Sequence, residues 1–136
     1  MGEPLRVLDR LMDALNRHDV DALVDCFQDD YESYQPLRPS EAFRGSHQVR
    51  RNWSRIFESI PDVRGEVLRS ASSGDTAWVE LSLTGMRPHG SPLDMRGVII
   101  NGVTDDRIAW ARLYLEPVFE NAGDIDQGVA EMIEGD

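Results

Sequence analysis

The sequence has no lysine, a single cysteine and no apolar run approaching the length of a membrane span. Each absence excludes something. All 14 basic residues are arginine, a bias of genome composition that carries no functional reading. With one thiol, Cys26, the chain forms no internal disulfide, and its place beside Phe27 in a helical pattern makes it a packing residue. Positive charge is scarce: against 25 acids the net charge is −11. That sign excludes nucleic acid, whose phosphates demand a basic footprint, and anionic membrane equally. The stretch MGEPLRVLDRL lacks an apolar signal core, so a cytoplasmic protein is expected. The histidines, His18, His47 and His89, fit no metal spacing, and neither a metal nor a cofactor is expected.

What is present suits one core. At 136 residues and 40% hydrophobic content the chain reads as a single domain over residues 1–120. An acidic tail, 121–136, follows, in which Ile125, Val129, Met132 and Ile133 are spaced for a weak last helix. The organising stretch is Leu93 to Pro117, LDMRGVIINGVTDDRIAWARLYLEP, which reads as two strands and a tight turn. A turn at Asn101-Gly102 has the right chemistry for a hairpin but scatters apolar residues over both faces. A turn at Asp105-Asp106 pairs Val98 with Leu113, Ile100 with Ala111 and Arg96 with Leu115, and makes one face almost wholly apolar. The second register is the expected one.

Upstream, Leu5, Leu8, Leu11, Met12 and Leu15 recur at helical spacing between Pro4 and Arg17. Asp19 caps a short second helix, Val20 to Phe27, broken by Asp29-Asp30, and Tyr31 to Gln35 forms a brief strand. Ser46 caps a third helix with Val49, Trp53, Ile56, Phe57 and Ile60 on its apolar stripe, ended by Pro61. Strands follow at Gly65 to Ser72 and Thr76 to Gly85. In the second of these Ala77, Val79, Leu81 and Leu83 face inward, and in the last strand Ala109, Ala111, Leu113 and Leu115 do so. Three helices followed by antiparallel strands make an α+β layer pattern.

The segments ALNRHDVDALVDCFQDDYE, FRGSHQVRRNW, GDTAWVE and DDRIAWARLYLEP, in that order, resemble the SnoaL-like branch of the nuclear transport factor 2 superfamily. The resemblance implies a cone: a strongly curved, mostly antiparallel sheet wrapped on three N-terminal helices, with a pocket at the open end. It does not fix function. Compared with ketosteroid isomerases, the position of the general base holds Gln35, which has no titratable group. The two oxyanion positions hold Leu11 and Arg96. Compared with limonene-type epoxide hydrolases, the water-activating positions hold Leu81, Leu83 and Leu113. Neither chemistry is expected, and no acid here matches the acid/base residue of the polyketide cyclases.

The resemblance and the strand register together mark Gln35, Trp53, Leu81, Leu83, Arg96 and Leu113 as the ligand-binding set: apolar walls with two polar groups. His18 and His47 read as solvated, and His89 lies on the loop that rims the pocket. Arg38, Arg44, Arg50, Arg51 and Arg55 concentrate positive charge, either as a guide for an anionic ligand or as a solvated face. Trp78, Trp110, Arg112 and Tyr114 share the outer sheet face and mark a homodimer interface. The expected function is binding of a small apolar oxygenated metabolite, with or without a reaction. The alternative is a non-catalytic ligand-binding or dimerisation domain.

Overall fold

The computed structural model describes residues 2–135. Helix α1, Glu3–Asn16, takes Pro4 in its first turn and buries Val7, Leu8, Ala14 and Leu15 along one stripe. Helix α2, Val20–Val24, is capped as expected: the Asp19 carboxylate accepts from Ala22 N at 3.0 Å. It ends three residues before Phe27, however. Phe27 instead opens strand β1, Phe27–Tyr34, which absorbs Asp29 and Asp30 as exposed strand residues. A four-residue separation satisfies both the helical and the strand period, so Phe27 and Tyr31 fit either element. Strand β2 is the two-residue Phe43–Arg44.

Helix α3, Ser46–Ser59, begins one residue after its cap. Gly45, at φ 101°, holds the cap position, and Ser46 is the first helical residue with no side-chain cap bond. The chain then runs through β3, Arg64–Ser73, β4, Thr76–Met86, β5, Pro92–Thr104, and β6, Arg107–Pro117. The tail forms helix α4, Ile125–Glu134, every residue of which is exposed. The six strands form one curved sheet in the order β2-β1-β6-β5-β4-β3, antiparallel throughout except for the parallel β1–β6 pair. The Asn16 carboxamide clips α1 to the sheet by donating to Gly65 O at 3.0 Å and accepting from Gly65 N at 2.8 Å. His18 is half-buried rather than solvated. Its ring stacks on Phe57 with centroids 4.7 Å apart, and Nε2 lies 2.7 Å from Val63 O.

The β5–β6 hairpin turns where expected. Asp105 and Asp106 both have positive φ, 52° and 62°, the conformation that matches the strands' twist. Thr104 pairs with Arg107 and Val103 with Ile108, but Gly102 then pairs with Trp110, leaving Ala109 as an extra residue. This β-bulge shifts the rest of the ladder by one. Leu113 is opposite Ile99 rather than Val98, Ala111 opposite Asn101 rather than Ile100, and Leu115 opposite Gly97 rather than Arg96. The aromatic bulk of Trp110 accounts for the site of the bulge. Its indole lies over Gly102, where an added Cβ would come within 1.9 Å of Nε1. Ile108, not Ala109, consequently enters the core, fully buried.

Candidate functional site

Between α1, α3 and the concave face of the sheet lies a cavity of about 280 Å³. Its walls follow from the periods of the elements around it. From α1 come Leu8, Leu11 and Leu15, spaced to share one helix face, and from α3 come Asn52, Trp53 and Ile56. Strand β4 contributes Leu81 and Leu83, and β6 contributes Ala111, Leu113 and Leu115, each at alternate positions. Of the residues marked from sequence, Gln35, Trp53, Leu81, Leu83 and Leu113 line the cavity together.

Arg96 does not. It lies on the outer face, between Ser82 and Glu116 on neighbouring strands, because the bulge at Ala109 makes the β5–β6 register differ by one from the expected pairing. Its side chain is 60% exposed, with Nε 3.4 Å from Asp94 Oδ1, an ion pair without hydrogen-bond geometry. His89 is exposed on the loop between β4 and β5 and does not reach the cavity. Three members of the arginine cluster pair with acids. Arg38 Nε donates to both carboxylate oxygens of Glu116 at 3.0 and 3.2 Å, Arg44 meets Glu32 at 3.0 Å and Arg50 meets Asp21 at 2.7 Å. These pairs are exposed and weak individually; they reduce the cluster's field rather than aim it.

Polar residues on the concave face went unmarked in the sequence. Tyr31, Ser33, Asn52 and Asn101 all line the cavity. Two of them had a signal: if Gln35 faces inward, Ser33 and Tyr31, two and four residues earlier, do so too. Asn101 had none, because a one-residue bulge decides its facing.

The electrostatics of the cavity are simple. Among the described residues that line it, Tyr31 is the one ionisable group; no carboxylate, imidazole, thiol or arginine is present. Burial pushes the Tyr31 phenol up to about 12, with the hydrogen bond to Ser33 pulling the other way. The group is therefore an uncharged phenol at neutral pH, and its ring packs edge-on to Phe27 and Phe43. Such a cavity has the walls to suit an apolar molecule and groups that can hydrogen-bond, but it carries no side chain ready to abstract a proton near neutral pH.

The Tyr31 shift has a consequence at high pH. The native state holds the phenol proton more tightly than the unfolded chain, whose tyrosines ionise near pH 10. Stability from this group is thus complete below pH 10 and lost as pH rises toward 12. Between pH 9.5 and 11.5, wild type is expected to lose about 2 kcal/mol more unfolding free energy than Tyr31→Phe. Denaturant titrations of both proteins at the two pH values measure the difference, and equal losses would show that the phenol is not shielded.

The family model of the SnoaL-like domain matches residues 8–111. Among curated proteins no relative is found. Solved structures share the fold at low identity. AclR from Streptomyces galilaeus is 16% identical with a TM-score of 0.72, over 86% of this chain and 81% of that one. A candidate SnoaL-like polyketide cyclase from Jannaschia sp. CCS1 is 20% identical with a TM-score of 0.70, over 84% and 85%. A protein with a ketosteroid isomerase-like fold from Catenulispora acidiphila, in complex with trimethylamine, is 14% identical with a TM-score of 0.68, over 89% and 90%. With three quarters of its length matched by the family model, the chain belongs to the SnoaL-like domain family.

Proposed function

We propose that the protein binds a small apolar molecule in the cavity between α1, α3 and the sheet, in contact with Gln35, Trp53, Leu81, Leu83 and Leu113. One observation carries this reading: a cavity of about 280 Å³, open on one side, with apolar walls and a few uncharged polar groups among its lining residues. A space of that size is close to the lower end for small-molecule sites. The name of the Jannaschia protein points to ring-bearing polyketides, a class whose apolar bodies suit such walls. Proton abstraction of the ketosteroid isomerase kind has no support, since the position compared with that base holds Gln35. Binding, with or without a reaction, is the reading the side chains favour.

Filling the cavity should abolish binding. With N-phenyl-1-naphthylamine, an uncharged dye that brightens in apolar surroundings, wild type is expected to give saturable fluorescence. Leu113→Trp, which places an indole in the void, should weaken it by roughly tenfold or more, equivalent to about 1.4 kcal/mol. Equal dye affinity in a Leu113→Trp protein that melts like wild type would remove the cavity from the reading.

A second reading concerns the outer face of the sheet. Trp78 and Tyr34 are 40% and 39% exposed there. Val98, Ile100, Trp110 and Tyr114 lie half-buried beside them, with Arg112 between, its guanidinium donating to the Tyr114 hydroxyl at 3.3 Å. Aromatic and arginine side chains on one face are the composition of an interface centre. We propose that two copies pair through this face. Sedimentation at micromolar concentration should give a dimer for wild type and a monomer for Trp110→Glu, and a monomeric wild type would end the proposal.

A further inference from the structure

We infer that the floor of the cavity is a seat for one uncharged oxygen, a ketone carbonyl or a hydroxyl, of an otherwise apolar ligand, held by Asn101 and Ser33 across Ala111 with Tyr31 beside them. The inference rests on the cavity being a ligand site and goes on to say what chemistry that ligand carries.

The sheet register builds the seat. Ser33 pairs with Ala111, and Ala111 pairs with Asn101, so the three lie on one rung across β1, β6 and β5. On the far side of Asn101 the rung continues to Ala77. Two strand spacings separate the backbones of Ser33 and Asn101, about 10 Å. Only the methyl of Ala111 stands between their side chains, which leaves room for a ligand atom.

Asn101 is the observation that asks for a ligand. Only 3% of it is exposed, yet a carboxamide offers two donor hydrogens and an acceptor oxygen. Among the described residues its side chain makes one hydrogen bond, a long one from Nδ2 to Ile99 O at 3.3 Å. Buried polar groups without partners are rare because their desolvation goes uncompensated. The carboxamide oxygen is not sealed inside protein either. Among the described residues the one side-chain polar atom both sealed and unpartnered is Asp94 Oδ1, so the open groups of Asn101 border the cavity they line. Ser33, 2% exposed, and Tyr31, 4% exposed, add two hydroxyls, bonded to each other, on β1 beyond the intervening β6.

The same inventory says what is refused. A carboxylate or phosphate would enter without a cation among the described lining residues, and an ammonium without a carboxylate. An ion left unpaired in an apolar site loses its hydration without compensation. A ketone or alcohol on a ring body also loses water, far less strongly held than an ion's, and the donors and acceptors at the floor replace those hydrogen bonds.

Three probes of one shape test this: tetralin, 2-tetralone and tetralin-2-carboxylate, titrated calorimetrically at neutral pH. The ketone is expected to bind about tenfold more tightly than the hydrocarbon, the worth of one well-made hydrogen bond. The carboxylate should bind roughly 100-fold more weakly than the ketone. Asn101→Leu should erase the ketone's advantage while tetralin binds as well or better, and Ser33→Ala should reduce that advantage. The infrared carbonyl stretch of bound 2-tetralone should lie below its value in hexane and move back in Asn101→Leu. Should Asn101→Leu fail to fold, Ser33→Ala and the wild-type stretch decide. Tetralin binding as tightly as 2-tetralone, or the carboxylate matching the ketone, would overturn the seat and leave the cavity as a ligand site. No binding of either uncharged probe would overturn both readings.

Discussion

The contact between Trp110 and Gly102 lies where the β5–β6 ladder shifts by one residue, and the facing of both strands depends on that ladder. An indole stacked on a strand needs a partner without a side chain, and Gly102 supplies it; a Cβ there would lie 1.9 Å from the ring nitrogen. Accommodating the ring leaves Ala109 out of the ladder. A one-residue slip sends every later side chain of one strand to the opposite face. Ile99 and Asn101 turn inward, while Arg96, Val98 and Ile100 turn outward. Relative to the unbulged register expected from sequence, the cavity has a carboxamide, Asn101, and not the Arg96 guanidinium.

Neutrality then runs through the rest of the molecule. The charges of this acidic chain sit on the outside, where arginines pair with acids across elements: Arg10 with Asp106 at 2.9 Å and Arg107 with Asp25 at 3.0 Å join α1 and the end of α2 to the β5–β6 turn. These exposed pairs add little stability, and the helices are held mainly by buried apolar packing and the Asn16–Gly65 clip. Inside, the leucines of α1 and β4 face the aromatic groups of α3 and β1. Among the described lining residues the polar side-chain groups are uncharged: hydroxyls, carboxamides and the Trp53 indole N–H. A cavity so composed gains affinity from apolar area and discrimination from a few hydrogen bonds.

Much of the fold was legible because the patterns are local. The leucine stripe of α1, the Asp19 cap, the inward set on β4 and the turn at Asp105-Asp106 each rest on a period or a turn chemistry contained within a few residues. The failures have equally definite causes. Phe27 satisfies helical and strand spacing alike, so the boundary of α2 was open to either reading. Gly45 rather than Ser46 occupies the cap because its backbone takes a positive φ that serine disfavours. Five of the six residues marked for the site do line the cavity, and Arg96 fails through a tertiary event, the seating of a tryptophan, that leaves no periodic trace. Asn101 was hidden with it: the expected register, with Ile100 on the inner face, puts Asn101 on the outer one, whereas it pairs with Ala111 and lines the cavity.

The central claim, a neutral cavity whose floor seats one ligand oxygen above Ala111, is tested most directly by a crystal structure grown with excess 2-tetralone. The account predicts density for the two rings between Trp53 and the leucines of β4. The ketone oxygen should lie within hydrogen-bonding distance, about 3 Å, of the Asn101 carboxamide. Density with the oxygen turned toward the cavity mouth, or ligand found only on the outer face of the sheet, would contradict it.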